Sequence, residues 1–215
     1  MKQSLIYAVL GLLFTLPAHA DGWKTYRVTI TNATSHQVLT PPLIAVHKPR
    51  FQVFNVGDTA SYGLLTQAET GNPSELALEL QASPGVLNVT TGSDVIPYGQ
   101  SASFVINAPK RTQISITSML ASTNDGFAAI KNISLPKRSR QFVALAYDAG
   151  SEMNNETCTH VPGPPCTPES GNLRTDTGEG FISIHNGIHG GSDLNPKHLD
   201  WRGPVAVVTI TRITD

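Results

Sequence analysis

Cysteine is scarce in this 215-residue chain, which has two. Charge is scarce too, at 14% of residues, and acids slightly outnumber bases. A chain so balanced has no electrostatic case for binding nucleic acid. Beyond residue 20 no apolar run approaches the roughly 20 residues that a membrane-spanning helix needs. The hydrolase signatures G-x-S-x-G and H-E-x-x-H are both missing, and neither cysteine is placed as a nucleophile. Those gaps argue against the common serine, cysteine and zinc hydrolase classes. The sequence also lacks internal repeats and any linker long enough to divide it.

Residues 1–20, MKQSLIYAVLGLLFTLPAHA, have a basic start, a short apolar centre and an A-x-A end. That pattern reads as a secretory signal peptide. A mature chain is expected to begin near Asp21, exported to the periplasm or secreted, with no transmembrane anchor after cleavage. No cysteine stands directly after the cleavage point, which argues against a lipid anchor. Without Lys2, 14 basic residues stand against 16 acidic ones, a net charge of −2. About 195 residues suffice for one domain, 21–215, with a sizeable core. In an exported chain, Cys158 and Cys166 in CTHVPGPPC predict a disulfide stapling a local loop.

What is plentiful is turn chemistry, with 18 Gly and 15 Pro among many Ser, Thr and Asn. Between the turns lie short alternating runs. In KTYRVTITN, Tyr26, Val28 and Ile30 face one way and Arg27, Thr29 and Thr31 the other, predicting a strand with one buried face. LIAVH, SASFVINA, TQISITSML, GFAAI, QFVALAY, GFISI and PVAVVTITRI are further strand candidates. One helix is predicted over 73–81: Asn72 can cap, Pro73 suits the first turn, and Glu75 stands where a capping box needs it. This spacing of strands and turns predicts an all-β fold, an antiparallel sandwich.

Functional chemistry is expected in the loops at one end, and three loops are candidates. In ASTNDGFAAI, Asp125 belongs to Asn-Asp-Gly, which is also ordinary turn chemistry. In YDAGSEMNNE, Asp148 and Glu152 flank Ala-Gly-Ser, and Gly150 permits a tight turn that can aim both carboxylates at one spot. Asn154, Asn155 and Glu156 add oxygen donors, a mix that suits a hard cation as well as a solvated acidic loop. In ISIHNGIHGGSDLNPKHLDW, His185, His189 and Asp193, with His198 nearby, are zinc-type ligands. In a Gly-rich loop they serve equally as backbone-bonding residues.

Taken together, SMLASTNDGFAAI, YDAGSEMNNE, ISIHNGIHGGSDLNP and DWRGPVAVVTI resemble the spondin N-terminal domain family, in particular its exported bacterial single-domain members. The opening strand YRVTITNAT and FNVGDTASYGLLTQAETGNPSEL fit the same pattern, so the likeness spans Tyr26 to Ile213. The resemblance implies a β-sandwich similar to calcium-dependent lipid-binding domains, with a bound Ca2+. It implies Asp125, Asp148 and Glu152 as the calcium ligands. Glu152 stands where the animal proteins have Asp, a longer side chain that can still bind calcium in bidentate fashion. Asn155, Glu156, His185, His189 and Asp193 are further candidates. The resemblance carries nothing over to the His185–His189 loop. The thrombospondin-type repeats that accompany the animal domain are absent.

Two functions follow as expectations. The first is a non-enzymatic, exported calcium-binding module that adheres to a protein, glycan or surface through its loops. The second is a zinc-dependent hydrolase using the His185/His189 loop.

Overall fold

Residues 22–167 and 177–213 are described by the computed structural model. The expected signal peptide, 1–20, lies outside the described residues. The alternation read in KTYRVTITN becomes β1 (Trp23–Asn32), with Tyr26, Val28 and Ile30 buried and Arg27 exposed. It pairs antiparallel on one side with β4 (Ser101–Pro109) and on the other with β9 (Ala206–Ile213). β9 then pairs with the first part of β7 (Ser139–Asp148). The opposing sheet runs β3 (Val86–Thr91), β2 (Leu43–His47), β5 (Gln113–Met119), β6 (Gly126–Ser134) and the last part of β7. All pairings are antiparallel. β7 therefore belongs to both sheets, since residues 139–144 pair with β9 and 145–148 with β6. The mostly antiparallel all-β fold is as predicted.

One core fills the space between the sheets. Val28, Ile30, Val208 and Ile210 meet Ile44, Val46, Ile114 and Ile116 there. A second core lies on the outer face of the second sheet, where α1 (Tyr62–Thr70) and α2 (Ser74–Gln81) cover Leu43, Ala45, Phe127 and Ala129. Both faces of β2 are thus covered, and all five of its residues are buried. Each aliphatic side chain so enclosed contributes about 1.5–3 kcal/mol.

α2 is the predicted helix, beginning one residue later. Its leucines follow the helical rather than the alternating pattern: Leu76 and Leu80 are buried while Leu78 is exposed. α1 was not anticipated from the pattern, although its end signals are in the sequence. The Ser61 hydroxyl accepts from Leu64 N–H, and Gly71 takes the left-handed conformation (φ 73°) that ends many helices. The half-buried edge strand β3 was also missed. Of the strand predicted in GFISI, β8 (Ser183–Ile184) forms against Tyr147 and Asp148. Ile182 instead exchanges backbone hydrogen bonds with Gly57 and Asp58.

Cys158 and Cys166 form a disulfide. It borders a small third core of Val161, Ile188, Leu194 and Leu199, the last from the single-turn helix α3 (Pro196–Leu199). This cluster packs the loop after β7 against the loop before β9. Among the described residues no helix is long and apolar enough to cross a membrane.

Candidate functional site

Strand register brings the two best-placed acids together. Gly126, the first residue of β6, lies directly opposite Asp148, the last residue of β7. Asp125 precedes Gly126, so the two aspartates sit side by side at the same end of the sheet. The turn after β7 then folds over them. Gly150 takes φ 69°, as a tight turn requires. A Cβ on Gly150 would come 2.2 Å from the Phe181 carbonyl oxygen, so the position also demands glycine for space. Three successive backbone N–H groups of this turn donate to the aspartates. Gly150 N–H donates to Asp148 Oδ1 at 2.7 Å. Ser151 N–H and Glu152 N–H donate to Asp125 Oδ2 at 2.7 and 3.0 Å. The Ser151 hydroxyl adds a bond to the same oxygen at 3.1 Å, and the Asn154 amide donates to Asp148 Oδ2.

Asp125 Oδ1 is different. It is buried and has no hydrogen-bond partner. Asp125 itself is fully buried and Asp148 is 3% exposed. Burial, followed by the neighbouring Asp148 charge, pushes the Asp125 carboxyl up to about 7 despite the three hydrogen bonds donated to it. Burial likewise raises Asp148, against the bonds from Asn154 and Gly150. Two carboxylates enclosed in this way need a proton or a cation between them.

Glu152 is buried in the same turn, and its backbone serves Asp125. Among the described residues no three of His, Cys, Asp and Glu gather around one point as a metal-holding group. The site is therefore an aspartate pair with Glu152 beside it, rather than a closed three-carboxylate cage.

The other candidates have structural partners. Glu156 is buried, with φ 56°. Its carboxylate accepts the backbone N–H groups of His189, Gly190 and Gly191, tying the loop after β7 to the loop before α3. Asn155 Oδ1 accepts from Asn124 and from the backbone and hydroxyl of Thr157. Asp193 Oδ2 accepts Cys158 N–H at 2.7 Å. The His189 side chain is 65% exposed, its Nδ1 lying 3.5 Å from Glu156. His185 is buried against Trp201, with ring centroids 5.0 Å apart. Its Nδ1 accepts Gly187 N–H, so the neutral ring carries its proton on Nε2, a buried position with no partner. Burial, with a smaller contribution from His189, lowers its pKa to about 4. His185, His189 and Asp193 thus face three different sets of partners.

No family model matches the chain. No curated protein matches it either. The site therefore rests on its own residues. Sequence reading missed the role of Ser151, which bonds Asp125 through both backbone and hydroxyl, and of Gly126. A Cβ on Gly126 would meet Thr123 Oγ1 at 2.6 Å and His185 Cδ2 at 2.8 Å. The Asn-Asp-Gly triplet is the signal that could have pointed to Gly126.

Proposed function

We propose that this chain is an exported, calcium-binding module of the spondin N-terminal type, acting by adhesion or binding rather than by catalysis. The observation that carries the calcium reading is the unpartnered, buried Asp125 Oδ1 beside the Asp148 carboxylate. A hard divalent cation accepts carboxylate and carbonyl oxygens and relieves the repulsion between the two acids. Asp125 and Asp148 would hold the ion, with Glu152 as the third acid of the same turn. The donor set is all oxygen, which suits calcium better than zinc. Export follows from the N-terminal pattern, and the family type from the order of motifs along the chain. The exposed apolar side chains Phe181 and Ile184 lie near the acidic turn and supply contact surface at that end.

Bound calcium would link the β5–β6 loop to the turn after β7. A ligand present at about 100 times its Kd stabilises a protein by about 2.7 kcal/mol. For a chain of this size that corresponds to a rise in melting temperature of about 5–10 °C. Calcium should produce such a rise over chelator, and Asp148→Asn should remove most of it. An identical wild-type midpoint in excess calcium and in chelator would sink the calcium reading.

A further inference from the structure

Strands β5, β6 and β7 carry their acidic loops at one end and a different surface at the other. A cavity of about 630 Å3 opens at that other end, between the β4–β5 turn, the β6–β7 turn and the outer ends of β1 and β9. Lys24, Lys110, Arg111, Lys137 and Arg212 line it, and its described lining residues include no Asp or Glu. Among the described residues none of the five makes an ion pair with a carboxylate. The chain as a whole carries a slight net negative charge, so this concentration of uncompensated positive charge is local.

Two further features set the cavity apart from an ordinary solvated basic face. Arg212 Nε is buried and has no hydrogen-bond partner. The Arg212 charge also acts on the neighbouring Tyr26 hydroxyl, opposing the rise that burial causes there. Arg111 sits at φ 63° in the β4–β5 turn. That left-handed conformation is unfavourable for a residue with a side chain. Five like charges around one concavity repel one another, and a multivalent anion would relieve that repulsion. Arginine forks and lysine ammoniums suit phosphate and sulfate oxygens. The volume lies within the range of small-ligand sites, and Pro109, Leu135 and Pro136 give the wall apolar surface for a ring or a carbon skeleton.

We propose that this cavity binds a ligand carrying two or more phosphate or sulfate groups on a sugar-sized body, at the end of the sandwich opposite the aspartate pair. Such groups occur on soluble phosphorylated or sulfated saccharides and on anionic lipid headgroups, and the chemistry recognised is the same. β7 is ten residues long, so the two ends stand about 30 Å apart at roughly 3.3 Å per residue. That distance exceeds the ~8 Å screening length at physiological ionic strength, so anion binding is independent of calcium.

The test titrates the intact mature chain with sucrose octasulfate and with inositol hexakisphosphate. A parallel arm measures co-sedimentation with phosphatidylcholine vesicles containing a phosphatidylinositol bisphosphate, whose headgroup carries several phosphates on an inositol ring. Binding is expected at low salt and should weaken as salt is added. Lys110→Gln combined with Lys137→Gln should weaken it at least about tenfold. Both residues are exposed and make no side-chain hydrogen bond among the described residues, so the fold should survive, as circular dichroism would verify. Lys197→Gln on α3 and Asp148→Asn should leave binding unchanged, which keeps this result separate from that of the calcium experiment. Arg212→Gln should abolish binding if that variant folds; the double variant carries the test if it does not. Binding of the free polyanions alone points to a soluble saccharide, and binding of the vesicles alone to a headgroup. The proposal is overturned if neither arm shows binding at low salt, or if the folded double variant binds as tightly as wild type.

Discussion

At the scale of single residues, two buried groups titrate with opposite consequences. Asp125 has its pKa raised to about 7, first by burial and then by Asp148. A raised folded pKa gives stability that is full below the unfolded value and lost as pH rises through the folded one. Without calcium, the Asp125 contribution therefore declines between about pH 4 and pH 7. Asn at this position can keep one oxygen for the Ser151 and Glu152 donors and turn its amide toward Asp148. Asp125→Asn should therefore be more stable than wild type in chelator at pH 8, by about 1–2 kcal/mol, while losing the calcium response. Urea midpoints at pH 5 and pH 8 would check this, and a variant less stable than wild type at pH 8 would contradict it. His185 behaves in the opposite sense. Burial depresses it to about 4, so its contribution is present above about pH 6.5 and lost as pH falls toward 4. The difference between wild type and His185→Gln should shrink over that window by at most about 3 kcal/mol.

At the scale of elements, the two helices are joined at a point where a side chain does not fit. A Cβ on Gly63 would lie 2.6 Å from the Leu76 Cα, so α1 and α2 pack backbone to backbone there. Gly63 N–H also donates to Glu79 Oε2 at 2.9 Å. Gly63→Ala should cost about 1–3 kcal/mol through overpacking, measurable as a lowered urea midpoint. Gly150→Ala combines a positive φ with a collision against Phe181 and should destabilise by a similar amount or more. It should also abolish any calcium response, because the turn supplies three N–H groups to the aspartates.

Legibility differed from element to element. β1 and β9 were readable because one face is buried and the alternation is clean. β2 was readable because an apolar run suits a strand covered on both faces. α1 was not read, because Leu64, Leu65 and Ala68 make a weak stripe and its Ser61 and Gly71 ends went unweighed. β3 was not read because none of its residues is fully buried, so burial left little imprint on its sequence. At the site, Asp125, Asp148 and the need for Gly150 were legible from local chemistry. The anchoring role of Glu156 was not, because its partners lie more than 30 residues away.

At the scale of the whole molecule, the described residues divide by charge along the strands, with buried acids at one end and a cluster of five cations at the other. The disulfide belongs to the acidic end, where the third core holds two loops together. Its loop spans a sequence separation of eight. Closing a loop of that length stabilises by about 2–3 kcal/mol in the chain-entropy view. Replacing both cysteines with serine should lower the unfolding free energy by about that amount. It should leave polyanion binding at the distant cavity intact, which titration of the variant would check.

The sequence by itself determined the class of fold, because alternation and turn residues are local properties that burial imposes directly on neighbouring positions. It determined the disulfide, since two cysteines in one short loop have few other partners. It also placed candidate acids in the loops. The tertiary structure alone decided that Asp125 and Asp148 adjoin, because antiparallel register sets which residues face each other across β6 and β7. It alone showed that Glu156 and Asp193 bind backbone rather than standing free. It alone gathered five cations, scattered from Lys24 to Arg212, around one cavity. Coulomb interactions depend on distance in space, and separation along the chain does not reveal that distance.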